Sequence, residues 1–361
     1  MTPRCARNRP PAPRAFSSAR SSGAHSSPGP APHYEPGFAW IGPHAAQRNG
    51  HGAAVTPIPG RFELVRVGDA GRSTANDRTF RRAAGRGELV RVRRGVFLAT
   101  ARWRELPPLD RYRLTIAAAT ERAPALIVSH RSAAALWGVP LIGPVPTDVE
   151  VLTSMGNGSR REGGFRRWAT TDHASEIVET DGIRATSMRR TVVDLAASLP
   201  FPEAVAAVDW ALAQGVDREH LARLAMALRS GGGLKRAVAA IRFGDGRSGS
   251  PGESVSRALI HQLGFPAPEL QVPFHDRRGL IGESDFYWRR WALIGEFDGL
   301  VKYQDERMLR GRTPAQVLAA EKRREDRLRA TGPRVARWVW QDLTPDRLGP
   351  ILLDAGLPRF G

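Results

Sequence analysis

Only one cysteine, Cys5, occurs in the 361 residues. No intramolecular disulfide and no cysteine-based zinc cluster can form, and a reducing compartment, the cytoplasm, is the expected setting. Long apolar runs are also missing. None approaches the ~18 residues that a transmembrane helix requires. The nine histidines are scattered, with no H-E-x-x-H or comparable ligand pair, which argues against zinc. Acidic residues are the scarce charge: none precedes Glu35, and 36 Asp and Glu stand against 54 Lys and Arg, a formal net charge of +18. An excess of that size favours a polyanionic partner, either nucleic acid or an anionic membrane surface. The chain has no amphipathic apolar face for a membrane surface, so no membrane partner is expected.

The length suits two or three domains, each with its own core. Residues 1–58, rich in Pro, Ala, Arg, Ser and Gly, cannot bury a core and predict a disordered basic tail. Arg-rich, Ser-rich and acid-poor is also how an organelle transit peptide reads, and an overlong start is a further reading. The tail lacks the apolar stretch of a secretory signal.

Residues 59–125 read as a small basic unit. Asn76 or Asp77 can cap a short helix that runs through Ala84 and stops at Gly85. Glu88 to Leu98 then reads as two strands broken at Arg94-Gly95, a hairpin. A helix followed by a basic hairpin is how a winged helix-turn-helix ends. Arg78, Arg81 and Arg82 fall at i, i+3 and i+4 on one helix face, and Arg91, Arg93 and Arg94 decorate the wing. Arginines on both elements favour contact with DNA phosphates over a merely solvated face.

Residues 126–243 read as a mixed α/β middle region that serves as scaffold. Ser129 to Gly138 is a helix with a serine cap and a terminal glycine. Its His130 aligns with Ala134 and Trp137 and is expected to be a packed histidine. Val149–Leu152 reads as a strand, and Thr186–Ala196 and Ala204–Ala213 as helices. Asp245 to Gly249 reads as a linker into a last region, 244–361. There Ser250-Pro251-Gly252-Glu253 has the form of a capping box, which gives Glu253 a structural explanation. Strands at Leu270–Phe274, around Asp285 and around Glu296 follow. A long helix opens at Thr313-Pro314 and stops at Gly332-Pro333, before a last strand, Arg334–Trp340. The order is α-β-β-β-α-β, and the fold class is α/β multidomain.

The acids carry the chemistry. Side chains alternate across a strand, so Ile294, Glu296 and Asp298 share one face and Leu293, Gly295 and Phe297 the other. Carboxylates among apolar neighbours cost several kcal/mol, roughly, unless a cation or hydrogen bonds compensate. Asp285 comes from the preceding strand and Lys302 follows closely. Three acids on one sheet face beside a lysine point to a divalent-metal site for phosphodiester chemistry. In the long helix, Val317, Glu321, Arg324 and Leu328 fall on one stripe, which carries Glu321 and Arg324 towards the sheet if the two apolar residues face it.

That order, with Asp285, then Glu296-x-Asp298 and a lysine four positions on, resembles the PD-(D/E)XK nuclease fold. It is most similar to a very-short-patch-repair-endonuclease-like domain common in actinobacteria. The resemblance covers about residues 250–343 and includes Glu253–Arg257, Gly295–Tyr303, Glu321–Arg329 and Trp338–Leu343. It implies Mg²⁺ held by Asp285 and Glu296. The usual motif has a lysine where Asp298 stands, and Lys302 would supply that cation. Residues 76–98, Ser129–Gly138 and Arg190–Leu195 are similar to the winged-helix antitoxin of type IV abortive-infection toxin–antitoxin systems. This second resemblance implies DNA as a partner, a cognate toxin as another, and a transcriptional regulator without catalysis as the alternative function.

Overall fold

The computed structural model describes residues 58–66, 74–154, 158–170, 176–228, 232–299 and 314–360. All of them fall in the unit His33–Gly361. The architecture is mixed α/β, with several helices and small sheets. Of the expected tail, residues 1–58, all but Ile58 lies outside the described residues, as does Lys302; Ile58 itself is buried in the core, so the packed chain includes that residue.

The expected basic helix is α1, Thr74–Gly85, which starts before the expected cap; the side chains of Asn76 and Asp77 lie outside the description. It leads into the hairpin of β2, Leu89–Arg93, and β3, Val96–Ala99. Gly95 sits at the turn with φ +72°, a conformation glycine adopts without steric cost. β1, Val65–Arg66, adds a third strand in the order β1-β3-β2. Phe80 stacks on the buried Phe97 at 5.7 Å, so α1 turns its apolar edge to the sheet. Two further helices, α2 (Thr100–Glu105) and α3 (Pro108–Glu121), complete this part.

In the middle region, α4 (His130–Trp137) ends at Gly138, φ +72°. Ser129 precedes α4 but makes no side-chain cap bond; its hydroxyl lies 3.0 Å from His130 Nδ1 instead. His130 is buried and stacked on Trp168 at 4.1 Å, the packed histidine expected from its helix face. β4 (Val149–Thr153) runs parallel to β6 (Phe165–Ala169), and β5 (Ser159–Glu162) pairs antiparallel with β6. β7 (Ile177–Thr180) and β8 (Ile183–Thr186) form another hairpin, and Val128 bridges to both β4 and β8. Helices α5 (Met188–Ser198), α6 (Phe201–Ala213), α7 (Arg218–Met226) and α8 (Gly232–Phe243) follow. One continuous core joins Leu64, Val96 and Leu114 to Val149, Val193, Val208 and Ile241. The core therefore does not break near residue 125.

In the last region, α9 (Pro251–Gln262), β9 (Glu269–Asp276), β10 (Gly279–Trp288), β11 (Leu293–Phe297), a long helix (Pro314–Ala330) and β12 (Arg334–Trp338) reproduce the expected order of elements. The sheet order is β12-β11-β10-β9, with β12 parallel to β11 and the other pairs antiparallel. One face carries Phe286, Trp288, Leu293, Phe297 and Trp338 in a core that includes Leu259 of α9 and Leu348 of the last helix, Pro345–Asp354. The other packs Ile281 and Ile294 with Leu328 of the long helix. Gly295 is dictated by the first face: a Cβ there would meet the Trp338 ring at 2.6 Å and the Trp288 ring at 3.0 Å.

Residues 245–249 are not a loose tether. Asp209 of α6, almost fully buried, accepts Asp245 N–H at 2.6 Å, the Ser248 hydroxyl at 3.1 Å and two guanidinium bonds from Arg257 of α9 at 2.9 and 2.8 Å. Burial raises the Asp209 pKa, with Arg257 opposing the shift. A buried carboxylate needs such a counter-charge, and this one pins the last region to the middle, where α6 packs along α9.

Candidate active site

Phe286 of β10 lies across from Gly295 of β11, and Tyr287 from Ile294. One step past the last pair, the same register would bring Asp285 across from Glu296, and directly opposed residues of an antiparallel pair share a face. The regular pairing stops there. Phe297 N–H donates to Asp285 Oδ2 at 2.7 Å, while Asp298 N–H donates to the Trp338 carbonyl at 2.9 Å. β11 thus ends on β12, with the acids where its pairing to β10 finishes.

Each further acid has an arginine. Glu296 is buried, and its Oε2 accepts from the Arg324 guanidinium at 2.7 Å. The long helix delivers that arginine because Leu328, one turn on, is anchored in the core beneath it. Asp298 Oδ2 accepts from Arg337 of β12 at 3.0 Å, and Arg337 also lies 3.3 Å from Glu325. Burial works against the Arg337 charge, but Asp298, Glu325 and Glu296 outweigh it and hold the guanidinium above its ordinary pKa. Arg337 carried no signal in the sequence; it joins the site because β12 is parallel to β11 and puts Arg337 beside Glu296.

Glu253 does more than cap. Ser250 Oγ accepts Glu253 N–H at 3.2 Å, half of the expected box. The carboxylate itself takes Gly249 N–H at 2.7 Å and Gln271 Nε2–H at 2.7 Å. Ser284 and Phe286 pair with Val272 and Leu270, which puts Gln271 across from Asp285. Gln271 has φ +52°, a left-handed backbone that costs a non-glycine residue roughly 1–2 kcal/mol. A line of side chains thus runs from Glu253 through Gln271 to the strand position facing Asp285.

Asp285 and Glu296 thus stand just past the last β10–β11 pair, Arg324 reaches Glu296, and Glu253 bonds Gln271. Among the described residues, no three acidic, histidine or cysteine side chains form a group that could hold a metal ion. The physical reason lies in Asp298, one residue past β11, whose carboxylate is drawn to Arg337. The side chain of Glu321 lies outside the described residues. Two opposed carboxylates still suit Mg²⁺, which keeps several waters and takes one or two carboxylates plus substrate phosphate oxygens.

The arginines of the first region separate into two groups. Arg78, Arg81 and Arg82 on α1 and Arg91 and Arg94 on the hairpin are exposed. Arg93 departs from the expectation of a free wing arginine. Its guanidinium lies over the Phe165 ring at 4.4 Å and donates to the Gly164 carbonyl at 3.2 Å. Burial lowers its pKa, against the pull of Asp148 and Tyr112.

A cleft of about 1250 Å³ opens where α5, α6 and α9 meet, lined by Trp137, Trp210, Arg189, His220 and Arg247 among others. None of the strand acids lines it. Its arginines have partners close by, Arg247 with Asp245 at 2.7 Å and Arg189 with Glu176 at 3.7 Å, and His220 lies 3.8 Å from the same Glu176.

No protein-family profile matches the chain. No solved structure matches it either. It is similar to two uncharacterized proteins of Mycobacterium tuberculosis, each 31% identical over 127 residues, which is 35% of this chain and 47% of the relative. The chain spans about half the length of the curated relatives it matches.

Proposed function

We propose that this chain is a DNA-binding protein with an N-terminal winged helix and a restriction-endonuclease-like C-terminal domain that hydrolyses phosphodiesters with Mg²⁺. The observation that carries this reading is the β10–β11 register, which ends at Phe286 and Gly295 and whose continuation by one step would set Asp285 across from Glu296 on one sheet face. Asp285 and Glu296 would hold the ion, which when bound polarises the scissile phosphate and acidifies the attacking water. Asp285 is oriented by Phe297 N–H. Arg324 neutralises Glu296 in the metal-free protein, which offsets the cost of burying that carboxylate. Arg337 supplies, beside Glu296, the cation that the usual motif draws from a lysine at the Asp298 position. Lys302 is assigned to the charge that builds on the phosphate. Glu253 acts through Gln271 to set the strand facing Asp285. The exposed arginines Arg78, Arg81, Arg82, Arg91 and Arg94 grip the DNA backbone. No helix among the described residues is long and apolar enough to cross a membrane, and DNA as substrate assigns the protein to the cytoplasm.

Cleavage of plasmid DNA in Mg²⁺ or Mn²⁺ tests the reading. Wild type should cut, and Asp285→Ala and Glu296→Ala should lose at least ~10²-fold in rate while DNA binding survives. A wild type that binds DNA and metal but cuts neither single nor double strands would exclude the enzyme. A second reading, a non-catalytic regulator of antitoxin type with a cognate toxin as partner, is favoured by one observation. Both Glu296 and Asp298 are already paired with arginines, and Asp298 occupies the lysine position.

A further inference from the structure

The β5–β6 hairpin contains a charge arrangement that its own fold does not explain. Arg160 lies directly across from Arg167, and Arg161 directly across from Arg166. Like charges directly opposed on neighbouring strands are destabilising, and here there is one such pair on each face. Edge protection accounts for only half of it. β5 is an edge strand in the order β4-β6-β5, where charge discourages pairing with another chain. Arg166 and Arg167 are on β6, the central strand, where no edge needs guarding.

Among the described residues, the counter-charges are few and mostly distant. Arg161 is 3.3 Å from Asp148 but 74% exposed. Arg166 lies 3.9 Å from Glu150 and 4.1 Å over the Trp168 ring, and Arg167 lies 3.9 Å from Glu162. All of β5 is exposed, Arg160 included. The face that carries Arg160 and Arg167 also carries Phe165, whose ring lies under Arg167 at 5.3 Å and under the wing's Arg93 at 4.4 Å. The Arg93 bond to the Gly164 carbonyl ties the wing to the turn of this hairpin. Arg122, also exposed, donates to the Arg94 carbonyl at 2.7 Å at the tip of the wing.

We propose that the β5–β6 hairpin is a second phosphate-binding element, joined to the wing through Arg93, so that the protein holds the DNA backbone with two adjacent arginine hairpins. The inference rests on the DNA-binding reading above. A polyanion between Arg160 and Arg167 turns their mutual repulsion into shared attraction. Arg93, which sequence alone assigned to DNA, is the joint between the two hairpins.

The full-length protein and a short fluorescein-labelled DNA duplex of arbitrary sequence suffice for the test. Binding is followed by anisotropy over a salt series for wild type, the double variant Arg160→Gln/Arg167→Gln, and the charge-retaining double variant Arg160→Lys/Arg167→Lys. Each lost phosphate contact lowers the log–log salt slope by about 0.9. The glutamine variant should lose about 1.8 from the slope and bind at least ~10-fold more weakly at low salt. The lysine variant should keep the slope. Thermal melting of the glutamine variant should be unchanged or higher, because the opposed charges are gone. A wild type with a steep slope and a glutamine variant with the same slope would overturn the second hairpin and leave DNA binding intact. A lower melting temperature in the glutamine variant would make these arginines structural and overturn it as well. A flat slope in wild type would sink the DNA-binding reading itself, and this inference with it.

Discussion

Single residues carry the sharpest contrasts in this chain. His130 is held neutral: burial pushes its pKa down to about 3, with Glu150 pulling the other way. In the unfolded chain the same imidazole titrates near its ordinary value. Between those two pH values the unfolded state binds a proton that the folded state refuses, so stability is complete above about pH 6.5 and is lost as pH falls towards 3. Chemical denaturation at pH 8 and pH 5 should therefore differ by about 2 kcal/mol through this residue alone. His130→Gln should remove that part of the pH dependence, and a variant with an unchanged pH profile would contradict it. The burial of His130 was readable from its helix face, and so was the common face of Ile294 and Glu296, since both follow from local periodicity. Gln271, Arg337 and the altered role of Arg93 were not. Gln271 matters through its register with Asp285, Arg337 through a parallel strand 39 residues from Asp298, and Arg93 through a turn 71 residues away. Such partnerships depend on tertiary register, which local pattern does not encode.

At the scale of elements, some helices were legible from flanking caps and stops, as at Ser250-Pro251 and Gly332-Pro333, while α7 was not read despite its Asp217 cap. The hairpin β5–β6 was hidden because Ser-Arg-Arg-Glu has little β-propensity; what makes it a strand is pairing with β6, itself paired to the buried β4. The linker expected at 245–249 does connect α8 to α9, but its pinning was hidden for a similar reason. A Gly- and Ser-rich stretch reads as a tether until Asp209, 36 residues back, accepts the Asp245 amide. The long helix offers the most informative perturbation. It covers Ile281 and Ile294 with Leu328 and pins Glu296 with Arg324. Arg324→Ala would leave a buried carboxylate less well compensated, a loss of about 3 kcal/mol. Melting of the metal-free variant should drop accordingly, and millimolar Mg²⁺ should restore part of the loss if Glu296 is a metal ligand. Equal destabilisation with and without Mg²⁺ would make the Glu296–Arg324 pair purely structural.

For the whole molecule, composition and residue patterns pointed to a polyanion and to three regions, and the fold adds how those regions are joined. A continuous core links the basic first region to the middle, and the Arg257–Asp209 pair locks the middle to the sheet that carries the acids. The exposed arginines and the acids Asp285 and Glu296 thus belong to one unit of the chain. The central claim is that this acidic pair is a divalent-cation site, and calorimetric titration of the full-length protein with Mg²⁺, repeated with Mn²⁺, tests it without DNA or turnover. Wild type should show saturable binding at one site, and Asp285→Asn and Glu296→Gln should each weaken it at least ~10-fold. Absence of binding in wild type, or binding that both variants retain unchanged, would contradict the account.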